Sequence, residues 1–364
     1  MDKSIQEQAK DFVLLLSIEK LTESRLFTLL EKFRNPGNII RAGFTELSAL
    51  TGNDIAHRIC SLKINDEIKR KWEILEKYEI KAIPYYTDEY PHWLKNIEHF
   101  PPVIFVRGMV IPEDEVAIGV VGTRGATVYG KAIAEDFARE FAQAGVCVVS
   151  GMARGIDTSA HWGALKNNGR TIAVLGCGVD IVYPPENRTL LNEILKNGAV
   201  ISEFNIQTPP LAQHFPKRNR IIAGLSRAIV AIEAKEKSGV MNTVEWALKQ
   251  NKEIYAIPGN IYSKTSIGTN RLIKDGATPV TSASEVLEYL GIKFTKKERT
   301  IKEVILKDEE KKVWDGLSFE PTYLDELKEK IDMSTAEILK ILLDLEIKGF
   351  VKQLPGMMFV KNFE

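Results

Sequence analysis

The stretch from Gly119 to Gly163 constrains this 364-residue chain more than any other. It reads GVVGTRGATVYGKAIAEDFAREFAQAGVCVVSGMARGIDTSAHWG. An apolar run, Val116 to Val121, ends in the turn Gly122-Thr123-Arg124-Gly125. A helical pattern follows from Thr127 to Gln143 and stops at Gly145. A second run, Val146 to Val149, ends in Ser150-Gly151-Met152-Ala153-Arg154-Gly155. Strand, glycine turn and helix, twice over, predict a parallel sheet with crossover helices. Ligands of such sheets bind beyond the carboxyl ends of the strands. Both glycine turns fall at that edge and each carries an arginine. The segment therefore predicts an anion site, with phosphates held by backbone N–H groups of Gly122–Gly125 and Ser150–Gly151 and by helix N-termini.

The spacing Gly119-x-x-Gly122-x-x-Gly125 is not the G-x-G-x-x-G of dinucleotide sites, and Ser150-Gly151 stands where the ribose-binding acid belongs. No phosphate-loop motif with a Gly-Lys-Ser/Thr ending occurs. The α/β alternation continues through apolar runs at Thr171–Leu175, Ala199–Ile201, Ala228–Ile232 and Glu253–Ile257, with helical patterns at Glu186–Lys196 and Val240–Lys249. Ser282-Ala283-Ser284-Glu285 reads as a capping box opening a last helix.

Lys plus Arg and Asp plus Glu both number 49, so a polyanion site must be a local patch. One patch qualifies. Leu211 to Arg227, LAQHFPKRNRIIAGLSR, holds Lys217, Arg218, Arg220 and Arg227 without an acid, led by Phe215. With Arg124 and Arg154 these cations would neutralise phosphates. Phe215 would stack on a base, and Asn219 would bond a phosphate or base. Cys60, Cys147 and Cys177 are isolated and read as reduced structural thiols. No metal or cofactor pattern is present; the isolated reduced thiols, with no apolar run long enough to span a membrane and no signal peptide at the start, predict a cytoplasmic protein.

The flanks differ from this centre. Residues 1–79 predict a small helical domain of the SAM or helix-hairpin-helix kind, with Thr22, Thr45 and Asn53 as helix caps. Its hairpin, Ile18-Glu19-Lys20-Leu21-Thr22, lacks the glycines that bring backbone amides to phosphate. Residues 80–292 form the α/β domain and 293–308 a charged linker. Residues 309–364 predict a winged helix: three helices, the third opened by Ser334-Thr335-Ala336-Glu337, then a hairpin around Pro355-Gly356.

These motifs resemble those of DNA-processing protein A, the DprA/Smf family. The resembling residues are Gly122-Thr123-Arg124, Ser150 to Asp157, Tyr183-Pro184-Pro185-Glu186-Asn187, Phe215 to Ser226, Pro258-Gly259 and Gly268-Thr269-Asn270. They cover residues 80–292 densely and in fixed order. The resemblance implies an extended Rossmann fold, homodimerisation, binding and protection of incoming single-stranded DNA without catalysis, and help to RecA in loading on DNA during natural transformation. It implies that Arg124 contacts DNA and that Phe215 to Arg220 lines the groove.

The rival class is a nucleotide-processing enzyme. Ser238-Gly239-Val240-Met241-Asn242-Thr243-Val244-Glu245 is similar to the P-G-G-x-G-T-x-x-E motif of nucleoside-monophosphate phosphoribohydrolases, but Met241 and Asn242 break its glycine framework. The alternative reading makes Asn242 a helix cap with Glu245 three residues on. Asp157 and His161, at i and i+4, are spaced as an acid/base pair or as a helix cap and a structural histidine.

Overall fold

Caps and apolar runs set most element ends where the sequence pattern puts them. The structure, a computed structural model, describes residues 5–293, 306–318, 321–354 and 356–361. Six helices come first: α1 (Ile5–Leu15), α2 (Glu23–Phe33), α3 (Pro36–Arg41), α4 (Phe44–Thr51), α5 (Asn53–Cys60) and α6 (Asp66–Lys77). Thr22 caps α2 by accepting from the Arg25 N–H. Thr45 and Asn53 do not cap: they lie inside α4 and α5, whose caps are Gly43 and Gly52. Gly52, at φ +84°, joins the two helices directly, which leaves no room for a side-chain cap between them.

The sheet follows: β1 (Lys81–Pro84), β2 (Val103–Gly108), β3 (Ala117–Val121), α7 (Val128–Gln143), β4 (Cys147–Ser150), α8 (Ile156–Leu165), β5 (Thr171–Val174), α9 (Arg188–Asn197), β6 (Ala199–Ser202), α10 (His214–Leu225), β7 (Ala228–Ala231), α11 (Gly239–Lys249), β8 (Glu253–Ala256), α12 (Ile267–Lys274), β9 (Thr278–Pro279) and α13 (Ala283–Tyr289). Among the described residues the strand order is β1-β2-β6-β5-β4-β3-β7-β8-β9. β6 through β9 run parallel along that order, and β1–β2 and β2–β6 are antiparallel. The order reverses between β3 and β7, the position where open α/β sheets leave a crevice.

β3 to β7 are buried along their whole length, which is why each reads as an unbroken apolar run. On one face of β3, Ile118 and Val120 pack with Phe137, Ala138 and Phe141 of α7. On the other, Ala117 and Val121 pack with Ile221, Ile222 and Leu225 of α10. Thr127 caps α7 and Gly145, at φ +74°, closes it. α7 and α8 lie so close that a Cβ on Gly163 would come 2.2 Å from the Glu135 carbonyl oxygen.

The chain divides into two compact units, Met1–Phe294 and Thr295–Glu364. In the first, Phe12, Leu15, Leu26, Leu29 and Leu30 of the N-terminal helices share one apolar cluster with Phe105, Leu190 and Val200 of the sheet domain. The second is a winged helix: α14 (Asp308–Gly316), β10 (Thr322–Tyr323), α15 (Leu324–Lys330), α16 (Thr335–Ile347), β11 (Val351–Leu354) and β12 (Met358–Lys361), the strands ordered β10-β12-β11. Ser334 and Glu337 form the capping box of α16. Most of the expected linker, residues 294–305, and Pro355 of the expected turn lie outside the described residues.

Candidate nucleic-acid interface

Each parallel strand delivers its following loop to one edge of the sheet. The loops after β3, β4, β5 and β7 meet there, with the start of α10, around an open cleft of about 560 Å³ at the β3/β7 reversal. Gly122, Thr123 and Arg124 line it from the first loop, Ala153 and Asp157 from the second, and Tyr183 from the third. Phe215, Pro216, Arg218 and Asn219 line it from α10. Lys235, Lys237, Ser238 and Gly239 close the far wall at the N-terminus of α11.

The glycine turns serve packing first. A Cβ on Gly122 would come 2.3 Å from Ile156 Cγ1, and one on Gly151 would come 2.4 Å from Arg218 Nη2. Gly155 has φ +78° and lies against the Thr123 carbonyl. Gly125 alone of the turn faces open space. Several of the N–H groups expected to hold phosphate are spent internally. Thr123 donates to the Glu233 carbonyl (2.8 Å), Gly125 to Thr123 Oγ1 (3.3 Å) and Gly151 to Asp157 Oδ2 (3.1 Å). Ser150 is buried, with its hydroxyl donating to the Val120 carbonyl. Glu233, itself buried, accepts from the Thr127 N–H and hydroxyl and from Thr265, and so ties the first turn to the loop after β8.

The basic run from Phe215 to Arg220 lies on the helix α10, and its charges diverge. Arg218 is 4 % exposed. It donates to the carbonyls of Gly151 and Val174, and burial lowers its pKa to about 10. Arg220 is 2 % exposed and forms a two-bond pair with Glu203, 2.8 Å on each arm. Lys217 stays exposed but pairs with Glu23 and Glu203. Asn219 braces α10 on α11 through Asn242 Oδ1 (3.1 Å). The expectation that Arg218 and Arg220 present charge to phosphate is corrected: a helix turns each successive residue about 100°, and these two turn inward onto carbonyls and a carboxylate. Arg154 is about half exposed and pairs with Glu186, also about half exposed.

Among the described residues the cations left at the cleft are Arg124, Lys235 and Lys237, all exposed. Arg124 lies over the Phe215 ring at 5.1 Å, and Tyr183 flanks that ring at 5.6 Å. Lys235 and Lys237 escaped the sequence reading. Their signal was present: Lys235-Glu236-Lys237-Ser238-Gly239 leaves the carboxyl end of a strand and opens a helix, as the first glycine turn does. The motif-like residues behind them serve the fold. Asn242 lies inside α11, whose cap is Ser238, and Glu245 is exposed on that helix.

Asp157 and His161 are buried and separately engaged. Asp157 accepts from the Gly151 and Ala153 N–H groups; burial raises its pKa, and Arg218 and those donors oppose the rise. His161 Nδ1 donates to Thr171 Oγ1 (2.6 Å), because the Thr171 hydroxyl already donates to Val148. Burial first, then Arg218, pushes the His161 pKa down to about 3. Unfolding restores an ordinary value near 6.5, so the unfolded chain binds the extra proton between those values. Stability from this site is intact above about pH 6.5 and is lost as pH falls toward 3, by about 2 kcal/mol from pH 7 to pH 5. Urea unfolding at the two pH values is expected to show that loss in the parent and much less of it in His161→Leu. Equal losses in both would remove His161 as the cause.

A family model described as DNA recombination-mediator protein A matches residues 81–291, and one described as DprA winged helix domain matches 298–357. The DNA processing protein DprA of Bacillus subtilis is 40% identical over 212 residues, 58% of this chain and 71% of that one. The structure of DNA processing protein A from Streptococcus pneumoniae superposes with TM-score 0.67 at 32% identity, over 81% of this chain and 100% of that one. DNA processing protein A from Helicobacter pylori, whose structure is described for its single-stranded DNA binding mode, gives TM-score 0.53 at 28% identity, over 58% of this chain and 96% of that one.

Proposed function

Because this chain belongs to the DNA recombination-mediator protein A family, we propose that it binds single-stranded DNA in the β3/β7 cleft and helps load the RecA recombinase onto that strand during natural transformation. One observation carries the placement: Arg124, Lys235 and Lys237 ring a single open cleft that also holds a half-buried aromatic, Phe215. Cations on a backbone track beside a stacking ring suit a single strand of any sequence. The single-stranded DNA binding described for the Helicobacter pylori protein supports the same ligand class. We read the protein as a binding protein of the cytoplasm rather than an enzyme. Among the described residues no helix is long and apolar enough to cross a membrane. Titration with labelled single- and double-stranded oligonucleotides tests the reading, and a preference for duplex would overturn it.

The winged helix is not the main DNA contact in this reading. α16 bears Glu337, Asp344 and Glu346 against Lys340, its next residue Lys348 is paired with Glu310, and Leu343 and Ile347 are exposed. An acidic and apolar surface does not track phosphates. Removing residues from Lys297 onward is expected to leave single-strand affinity within a few-fold of the parent. Loss of binding in a folded truncation would contradict this. Homodimerisation through the α/β domain is part of the same proposal, and sedimentation at micromolar concentration giving only monomer would end it.

A further inference from the structure

The ring expected to stack on a base is already covered. The Arg124 guanidinium lies over Phe215 at 5.1 Å, and Tyr183 flanks the ring at 5.6 Å and 36°. Behind the ring, Gly176 is so close that a Cβ there would come 2.9 Å from Phe215 Cδ1. The void that Phe215 shares with Gly176, Cys177, Tyr183 and Arg124 is about 10 Å³, room for one water at most. A nucleobase therefore has no room behind Phe215 and must come from the open cleft, which Arg124 also lines. Tyr183 is the other half-exposed ring that borders both the cleft and the void.

From this we infer that Arg124 is the resting occupant of a base slot and that Tyr183 is a second ring of that slot: strand binding exchanges the guanidinium for one nucleobase, stacked on Phe215 and walled by Tyr183. The inference rests on the proposed single-strand binding and adds a residue and an order of events to it. The exchange is physically balanced. The guanidinium gives up a contact with a ring face and gains a phosphate, for which its planar donors are better matched. The base gains a π-face that tolerates any sequence. The slot accepts one base, because the void behind the ring is full and Tyr183 bounds its side.

The test uses the full chain, a dT oligonucleotide, and the same oligonucleotide carrying abasic sites, which keep every phosphate and lose the bases. The parent is expected to bind the abasic strand about tenfold more weakly. Tyr183→Leu is expected to lose about five- to tenfold on the intact strand and nothing further on the abasic one, with an unchanged salt slope. Tyr183→Phe should restore binding, because the ring and not the hydroxyl acts. A 2-aminopurine placed along the strand should be quenched at one position in the parent and in Tyr183→Phe, and not in Tyr183→Leu. If Tyr183→Leu melts at the parental temperature and binds both strands as the parent does, Tyr183 has no part in the slot. If it weakens both strands equally, its role is structural and the inference fails. A parent that binds neither strand would instead sink the single-strand reading itself.

Discussion

Glu203→Ala is expected to destabilise the protein by about 3–5 kcal/mol, the largest single-residue loss argued from this structure. Glu203 and Arg220 are each 2 % exposed in their side chains and joined by two 2.8 Å bonds. The Arg220 Nε also donates to the His99 carbonyl (3.0 Å), and Glu23 of α2 approaches Nη2 at 3.5 Å. Truncating Glu203 leaves a buried guanidinium whose remaining carboxylate is Glu23, 36 % exposed and 3.5 Å from Nη2. The penalty is the stranded charge, not the net worth of the pair. Replacing both partners by apolar residues, Arg220→Met with Glu203→Leu, should therefore recover most of the loss. Urea unfolding checks both. A loss under 1 kcal/mol for Glu203→Ala would mean that Arg220 finds water or a new partner, and would return it to the list of cations open to DNA.

The second large effect concerns affinity. Arg124, Lys235 and Lys237 approach the cleft from opposite walls, and each is exposed. If each meets one phosphate, replacing all three by alanine removes three counterions' worth of release. The slope of log K against log salt should then shrink by about 2, at roughly 0.7 per phosphate for a single strand. Binding at low salt should fall by two orders of magnitude or more, and the difference should narrow as salt rises. A triple variant that loses affinity equally at all salt concentrations would point to a lost shape rather than lost charge.

The sheet was legible in the sequence because β3 to β7 are covered on both faces, and such strands leave an unmistakable apolar run. The helix ends were legible where a side chain caps, as at Thr22, Thr127, Ser282 and Ser334. They were misread at Thr45 and Asn53, which follow starts made by glycine backbone without a side-chain cap: Gly43 opens α4, and α4 and α5 abut at Gly52. At the cleft, the exposed position of Arg124 was readable because its turn is local. The fate of Lys217, Arg218 and Arg220 was not, because their partners come from far along the chain: Glu23, Gly151, Val174 and Glu203. Four adjacent polar residues look alike in sequence until the helix phase and those distant partners decide which of them reach solvent. Lys235 and Lys237 show the converse. They stand just past a strand end, where the topology rule applies without any three-dimensional information, yet a similarity beginning at Ser238 drew attention past them.

A strand proposed to lie at the carboxyl edge of the sheet must depend on cations there and not on those elsewhere on the same domain. Arg227 supplies the control: it is exposed and immediately precedes β7, at the opposite edge from Arg124. The decisive measurement is a fluorescence titration of one single-stranded oligonucleotide with the parent, Arg124→Ala and Arg227→Ala at 50 and 200 mM salt, concentrations of the order over which phosphate contacts separate. Arg124→Ala is expected to bind more weakly, with a slope shallower by about 0.7, and Arg227→Ala to match the parent. Parental binding by a folded Arg124→Ala at both salt concentrations, or an equal loss in Arg227→Ala, would put the strand elsewhere.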